Sequence, residues 1–144
     1  EYIRTEGEGA QDRWLSNIFS NRAMGPTNQD TIWVIQSRII TELSEKGPCV
    51  IVGRCADYVL KGKADLLNVF IHATPENRAE CIVREYGERG TSPLERIREK
   101  DRRRAAYHRF YTDLKWGHAQ NYHICLDSGE LGLEKCSSII ASLF

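Results

Sequence analysis

The chain has 144 residues, and its 20 lysines and arginines balance 20 aspartates and glutamates, so the formal net charge is zero. Hydrophobic residues make up 41 % of the sequence and charged residues 28 %, which is ordinary for a folded domain and excludes an intrinsically disordered chain. The length suits one domain over residues 1–144, large enough to bury a core without crosslinks. No apolar stretch approaches the ~20 residues of a membrane span, so the sequence predicts no membrane association.

The cysteines indicate the compartment. They are odd in number and irregularly spaced, which does not fit the disulfide framework of a small secreted protein. The five are Cys49, Cys55, Cys81, Cys125 and Cys136. We therefore expect a reducing, cytoplasmic location.

Two helices are predicted before the first strand. The first covers residues 11–22, where apolar residues share one face, and Gly25-Pro26 follows it as a breaker. The second begins with Asp30 as its cap and ends at Lys46-Gly47-Pro48. Its apolar stripe consists of Ile32, Ile35, Ile39 and Leu43.

Three short apolar runs predict strands at residues 49–52, 66–71 and 122–126. They lack strict alternation with polar residues, which is typical of strands covered on both faces of a parallel sheet. Helices are predicted between and after them, so the sequence indicates an α/β fold with a parallel sheet.

The predicted helix starts have recognisable caps. Thr74-Pro75 begins a helix whose inward residues are Ala79, Ile82, Val83 and Tyr86. Ser92 and Glu95 have the spacing of a capping box at the start of a long charged helix. The last helix has an apolar stripe of Leu133, Cys136, Ile140 and Leu143.

The run from Arg96 to Arg109 carries the densest charge, with seven basic residues against Glu99 and Asp101. Residues three or four apart share a helix face, which here groups Arg96, Lys100, Arg103 and Arg104. One interpretation is anion binding, because guanidinium groups offer rigid forks of donors to phosphate. The other is a solvated face with internal pairs such as Glu99–Arg103. The density of like charge favours an anionic ligand.

Two polar loops follow predicted strands. Gly53-Arg54 follows the first strand, and Asp127-Ser128-Gly129 follows the last. Ligands of open α/β folds bind at the carboxyl ends of the strands. Asp57 would hold a ribose hydroxyl, a base edge or Arg54 itself. The alternatives are an Arg54–Asp57 surface pair and, for the second loop, a turn that caps the last helix.

Aromatic and metal-ligating residues give weaker signals. The aromatic residues near the basic helix would either stack on bases or pack the helix onto the core; they are Tyr107, Phe110, Tyr111 and Trp116. His118, His123 and Cys125 have loose metal-ligand spacing without a fourth ligand, so no metal-binding residue is assigned. The phosphate-loop pattern G-x-x-x-x-G-K-[ST] does not occur in the sequence.

Four segments together resemble the cytidylate kinase-like family of P-loop nucleoside-monophosphate kinases: residues 50–57, 70–78, 100–104 and 126–132. Residues 107–121 are similar to a less-characterised branch of that family. The resemblance runs over residues 30–144 and implies a three-layer parallel sheet of the P-loop nucleoside-triphosphate hydrolase type. It also implies a helical acceptor-side region at 1–47 and a lid-like, Arg-rich segment at 87–117.

The resemblance implies a nucleotide kinase that transfers the γ-phosphoryl group of ATP, with Mg²⁺, to a nucleoside monophosphate. Arg54 would bind the acceptor phosphate, with Asp57 as a second acceptor-binding residue. Lys100, Arg103 and Arg104 would be the catalytic residues, closing over the transferring phosphoryl group. Ser128 and Gly129 would lie by the adenine.

The chain departs from the family pattern in three ways. Cytidylate kinases have Asp after Gly-Arg, where this chain has Cys55, and they have an acidic residue where it has Val52. The family's first strand and phosphate loop would precede everything printed here, and the sequence opens at Glu1 without Met. We therefore expect an N-terminal portion outside this sequence, and no activity without it; the alternative is a truncated pseudo-enzyme.

Three functions stay open at this stage. A nucleotide kinase with a cytidylate-like acceptor is the leading one, and a non-catalytic nucleotide-binding regulatory module is the second. A nucleic-acid-binding domain is the third, and the zero net charge argues against it. The sequence leaves the oligomeric state open, a homodimer included.

Overall fold

A computed structural model describes residues 28–87 and 90–143 of the chain. The helices are α1 (Asn28–Glu45), α2 (Ala56–Val59), α3 (Pro75–Tyr86), α4 (Pro93–Thr112), α5 (Ser128–Leu131) and α6 (Leu133–Ser142). The strands are β1 (Val69–His72) and β2 (Ile124–Asp127), and a 3-10 turn covers Ala119–Asn121. The chain divides into two compact units, Glu1–Ile51 and Val52–Phe144. The helix predicted over residues 11–22 lies outside the described residues.

The first unit contains α1, whose existence and end are confirmed. The helix begins at Asn28, so Asp30 lies in its first turn instead of capping it. The helix stops before Lys46-Gly47-Pro48, as predicted. Its predicted apolar stripe is largely exposed, because Ile32, Ile35 and Ile39 keep 43–52 % of their surface. Ile40 is the buried residue of the helix.

The second unit contains a parallel strand pair, as the alternation of strands and helices predicts. β1 and β2 run in register from Val69 opposite Ile124 to His72 opposite Asp127. Both strands begin later than predicted, because Asn68 closes the end of the ladder. Its backbone N–H donates to His123 Nδ1 at 3.1 Å, and its side chain donates to the carbonyl of Asn121 at 2.8 Å.

The prediction of a strand at residues 49–52 is wrong. In the described parts of the chain the sheet has two strands, and residues 49–52 are not among them. Val50 and Val52 keep 94 % and 77 % of their surface exposed. A strand needs a neighbour to take up its backbone hydrogen bonds, and no described segment pairs with this run. In place of the expected three-layer parallel sheet, the described residues form a two-stranded parallel sheet packed with helices.

The helix starts confirm one predicted cap and correct another. Thr74 Oγ1 accepts a hydrogen bond from Asn77 N at 3.3 Å, and Pro75 occupies the first turn of α3. Ser92 precedes α4, but its side chain makes no capping hydrogen bond, so the predicted capping box does not form. The first turn is held instead by the backbone bond from Arg96 N to Ser92 O at 3.0 Å.

The apolar stripes of the later helices are only partly covered. Tyr86 at the end of α3 is 60 % exposed, whereas the other predicted inward residues of that helix are half-buried. In α6, Cys136 is 2 % exposed, but Leu133 and Leu143 remain 69 % and 55 % exposed. Helices α3 and α4 pack against each other, and α5 packs against both strands. Among the described residues, no helix is both long and apolar enough to cross a membrane.

Aromatic rings cover β1. Phe70 lies 5.4 Å from Trp116 and 4.9 Å from Tyr122 between ring centroids. Gly117 allows this packing, since its φ is +70° and a Cβ atom there would lie 3.0 Å from Phe70 Cζ. Its N–H donates to the Tyr122 hydroxyl at 3.3 Å. The predicted packing role of Trp116 is therefore confirmed.

Gly117→Ala is expected to lower the free energy of unfolding more than Gly62→Ala. Both glycines have a φ near +70°, but nothing lies within 4 Å of a Cβ at Gly62. The backbone strain of alanine is thus common to both variants, and the Phe70 clash adds about 1–3 kcal/mol to the first. Urea denaturation of both variants measures the difference; equal losses would contradict the close packing of Gly117.

Candidate anion-binding site

The turn before α2 has an unusual backbone. Gly53, Arg54 and Cys55 all have positive φ, at 71°, 55° and 54°. For non-glycine residues this conformation costs about 1–3 kcal/mol each, so the surroundings must hold it. Cys55 and Ala56, 4 % and 6 % exposed, anchor the turn in the core. Arg54 therefore lies on a strained turn that is anchored in the core.

Arg54 makes contact with the basic helix. Its guanidinium lies near the hydroxyl of Tyr107, which is carried by α4. Burial raises the pKa of Tyr107 above its usual range, and the nearby Arg54 offsets this only in part. Arg103 precedes Tyr107 by one helical turn, so their Cβ atoms are about 5–6 Å apart on one face. The structure thus brings Arg54 to the face of α4 that carries Arg103.

Asp57, predicted to bind substrate, has a partner within the protein. Its Oδ2 lies 3.4 Å from Nε2 of the buried His108, and its side chain is 17 % exposed. This contact differs from the Arg54–Asp57 surface pair that was one interpretation of the sequence. Cys55, two residues earlier in the chain, is also buried. Burial raises the pKa of its thiol to about 12, with a smaller contribution from the charge of Asp57. Neither residue presents a free charged group to solvent.

The basic helix is partly neutralised by its own acids. Glu99 Oε1 accepts from Arg103 Nε at 2.9 Å, the pair that the spacing predicts, and Glu99 also binds Arg102. Asp101 accepts from Arg104 at 3.1 Å. The face therefore combines both interpretations: its arginines are held by internal ion pairs, and basic residues still outnumber acidic ones along the helix.

Arg78 on α3 joins this cluster. Its guanidinium binds Asp101 through two hydrogen bonds of 2.6 and 2.9 Å. Arg78 lies in one of the four family-like segments, but the sequence predicted no role for it. Arg96, earlier on α4, has a buried Nη1 without a hydrogen-bond partner among the described residues. A cluster with a surplus of donors of this kind suits an anion.

Ser128 and Gly129, predicted to lie by the adenine, join the carboxyl ends of the two strands. Ser128 Oγ donates to the carbonyl of His72 at 3.0 Å, and Asp127 Oδ1 accepts from Gly129 N at 2.9 Å. A Cβ at Gly129 would lie 2.4 Å from Asn77 Nδ2, so the loop passes directly over the start of α3. Their polar groups are thus used within the fold. The predicted cap forms at the short helix α5, through Asp127, and not at the last helix, whose N-cap is Gly132.

The residues the sequence did not single out for a role are Arg78 and His108, and Tyr107 was considered only for stacking or packing. Their partners are distant in the chain, so helical spacing could not reveal them. In the described residues, no group of three or more His, Cys, Asp or Glu side chains is placed to hold a metal ion. His123 Nδ1 instead accepts from the backbone of Asn68.

Asp101→Asn is expected to destabilise the fold by about 1–2 kcal/mol at neutral pH, because it weakens three charge-assisted hydrogen bonds, two from Arg78 and one from Arg104, in a partly exposed site. Burial alone would raise the pKa of Asp101, but the bonds and charges of Arg78 and Arg104 hold it below its ordinary 3.8. A depressed pKa contributes stability above pH ~4, and this contribution is lost as pH falls through the folded-state pKa. The variant should therefore show a flatter acid limb in denaturation curves.

Glu42→Gln is the matched control, since Glu42 pairs with Arg38 in an exposed bridge on α1. It should change neither the stability nor the acid limb measurably. Equal effects of the two substitutions would contradict a structural role for Asp101.

Comparisons with known proteins agree with this architecture. A family model described as the cytidylate kinase-like family matches residues 1–130. The match begins earlier than the expected residue 30 and ends before residue 144. The crystal structure of an uncharacterized protein from Eubacterium ventriosum ATCC 27560 is similar, with a TM-score of 0.74 and 23 % sequence identity. The similarity covers 94 % of this chain and 80 % of that one, and it supports the fold alone.

None of the curated proteins matches the chain significantly. The family match nevertheless extends over most of the 144 residues and includes the Arg54 turn, the basic helix and the loop after β2. The chain therefore belongs to the cytidylate kinase-like family.

Proposed function

We propose that the protein is a nucleotide kinase that transfers the γ-phosphoryl group of ATP to a nucleoside monophosphate. The observation that carries the proposal is the position of Arg54 near Tyr107, which lies one helical turn after Arg103. Two guanidinium groups from separate elements approach one surface, which suits a phosphate rather than an isolated surface charge. Family membership supports the same class of reaction.

In this proposal Arg54 binds the acceptor phosphate. Its turn is buried at Cys55 and Ala56, so the guanidinium starts from a fixed backbone. Arg103, with Lys100 and Arg104, stabilises the charge on the transferring phosphoryl group. Glu99 and Asp101 restrain the side chains of Arg103 and Arg104 before substrate arrives. Such preorganisation reduces the reorganisation that the reaction itself requires.

The acceptor base is selected elsewhere than on this turn. Where the resemblance implies an acidic residue for cytosine, this chain has the buried thiol of Cys55. Asp57 does not replace it, because its carboxylate faces His108 at 3.4 Å. The proposal therefore takes nucleoside monophosphates as the acceptor class without a preference for cytosine from residues 55 and 57.

ATP and Mg²⁺ belong to the proposal as co-substrate and cofactor. Mg²⁺ commonly binds through nucleotide phosphates and one or two carboxylates, so the lack of a three-ligand cluster in the described residues does not conflict with it. When bound, the ion would neutralise charge on the phosphate oxygens. Ser128 and Gly129 would contribute the surface of their loop, since their polar groups already bind His72 and Asp127.

One alternative is a nucleotide-binding regulatory module without catalysis. Such a module would bind nucleotides in calorimetry and transfer no phosphoryl group. The nucleic-acid alternative instead requires an affinity that falls about one log unit per log unit of salt for each phosphate contacted.

Arg54→Gln is expected to lower kcat/KM for the acceptor by about 10²-fold, because a neutral amide replaces a charged fork at the phosphate. Arg103→Gln is expected to lower kcat by about 10³-fold. The assay measures ATP consumption with a panel of nucleoside monophosphates, on the natural chain together with any residues that its gene encodes before Glu1.

The matched control is Arg98→Gln, which changes an exposed arginine on the same helix and should leave the rates unchanged. Absence of turnover with every monophosphate would overturn the proposal. If Arg98→Gln were as damaging as Arg54→Gln, the effect would come from net charge and the assigned role of Arg54 would be wrong.

A further inference from the structure

His108 is a buried polar residue at the centre of a hydrogen-bond network, and it is 5 % exposed. Its Nδ1 lies 3.2 Å from the carbonyl of Leu114, and its Nε2 lies 3.4 Å from Asp57 Oδ2. It stands directly after Tyr107, which lies near Arg54. Two consecutive residues of α4 therefore face the two ends of the segment Arg54–Asp57.

Thr112 completes the network around His108. The hydroxyl of Thr112 donates to the backbone carbonyl of His108 at 2.7 Å, and it accepts from Leu114 N at 3.1 Å. Nδ1 of His108 also lies 3.2 Å from this hydroxyl oxygen. Both ring nitrogens therefore face oxygen atoms of the protein, and Nε2 is the one that faces the Asp57 carboxylate.

We infer that His108 is a positioning residue that holds the Arg54 turn through Asp57. Arg54 and Cys55 occupy a backbone conformation that is unfavourable for side-chain-bearing residues, so the turn needs external restraint. Among the described residues, the titratable groups that interact with Asp57 are Cys55, Tyr122 and His108. Of these, His108 makes the direct contact to the Asp57 carboxylate from helix α4.

The restraint is directional, which allows a matched pair of variants. In His108→Gln the amide nitrogen takes a position close to Nε2 and still donates to Asp57. In His108→Asn the amide nitrogen takes a position close to Nδ1 and serves the Leu114 carbonyl, so the Asp57 contact is lost. Both variants remove the ring, and their comparison isolates the contact with Asp57.

Amide hydrogen exchange over residues 53–59, read by mass spectrometry, tests the restraint without any activity. His108→Asn is expected to raise exchange in this segment about 10-fold relative to His108→Gln, and residues 124–131 should be unchanged. Asp57→Ala removes the acceptor and should show the same local increase, so it serves as the second variant if His108→Asn does not fold. Equal exchange in the two His108 variants, or an Asp57→Ala variant like the wild type, would overturn the inference.

The kinetic consequence rests on the proposed function. With the monophosphate that the panel identifies, His108→Asn is expected to raise the KM for that acceptor about 5–10-fold, with the KM for ATP unchanged, because a turn with more freedom binds phosphate less well. A rise in both constants would indicate general loosening and overturn the positioning role. If the wild type shows no turnover and the exchange contrast is present, the proposed function fails while the positioning of the turn stands.

Discussion

The packing of a strained turn against a basic helix organises the candidate site. Arg54 lies near Tyr107 and Asp57 contacts His108, so adjacent residues of α4 face the two ends of a four-residue segment. A backbone with successive positive φ values is unstable in isolation, and burial of Cys55 and Ala56 helps to maintain it. The position of Arg54 relative to α4 thus depends on packing and two polar contacts acting together.

The charged side chains of α4 are also held in place by ion pairs. Asp101 binds Arg104 on its own helix and Arg78 on α3, so one carboxylate joins two helices and spaces two guanidinium groups. Glu99 does the same for Arg102 and Arg103 within the helix. Acidic residues here reduce repulsion among the arginines and fix their directions. The surplus of positive charge is then presented by side chains with restricted freedom.

The sequence predicted the features that depend on residues close together in the chain or on the order of strands and helices. The parallel arrangement of β1 and β2, the Thr74 cap and the Glu99–Arg103 pair all follow from spacing or from the order of elements. The prediction of a strand at residues 49–52 is wrong, because an apolar run does not reveal whether another strand lies beside it. The role of His108 was missed for a related reason, since its carboxylate partner lies 51 residues away in the chain. Asp101 and Arg78 are 23 residues apart, beyond any helical periodicity.

The adjacency of Tyr107 and His108 has a mechanical consequence. Neighbouring residues on an α-helix point about 100° apart, so two contacts from such a pair determine the helix in rotation as well as in position. Rolling α4 about its axis, or sliding it by one residue, would break both contacts at once. The arginines nearer its start can therefore change their distance from Arg54 only if the helix bends or if the whole turn travels with it. Asp101 couples α3 to that same bend through Arg78.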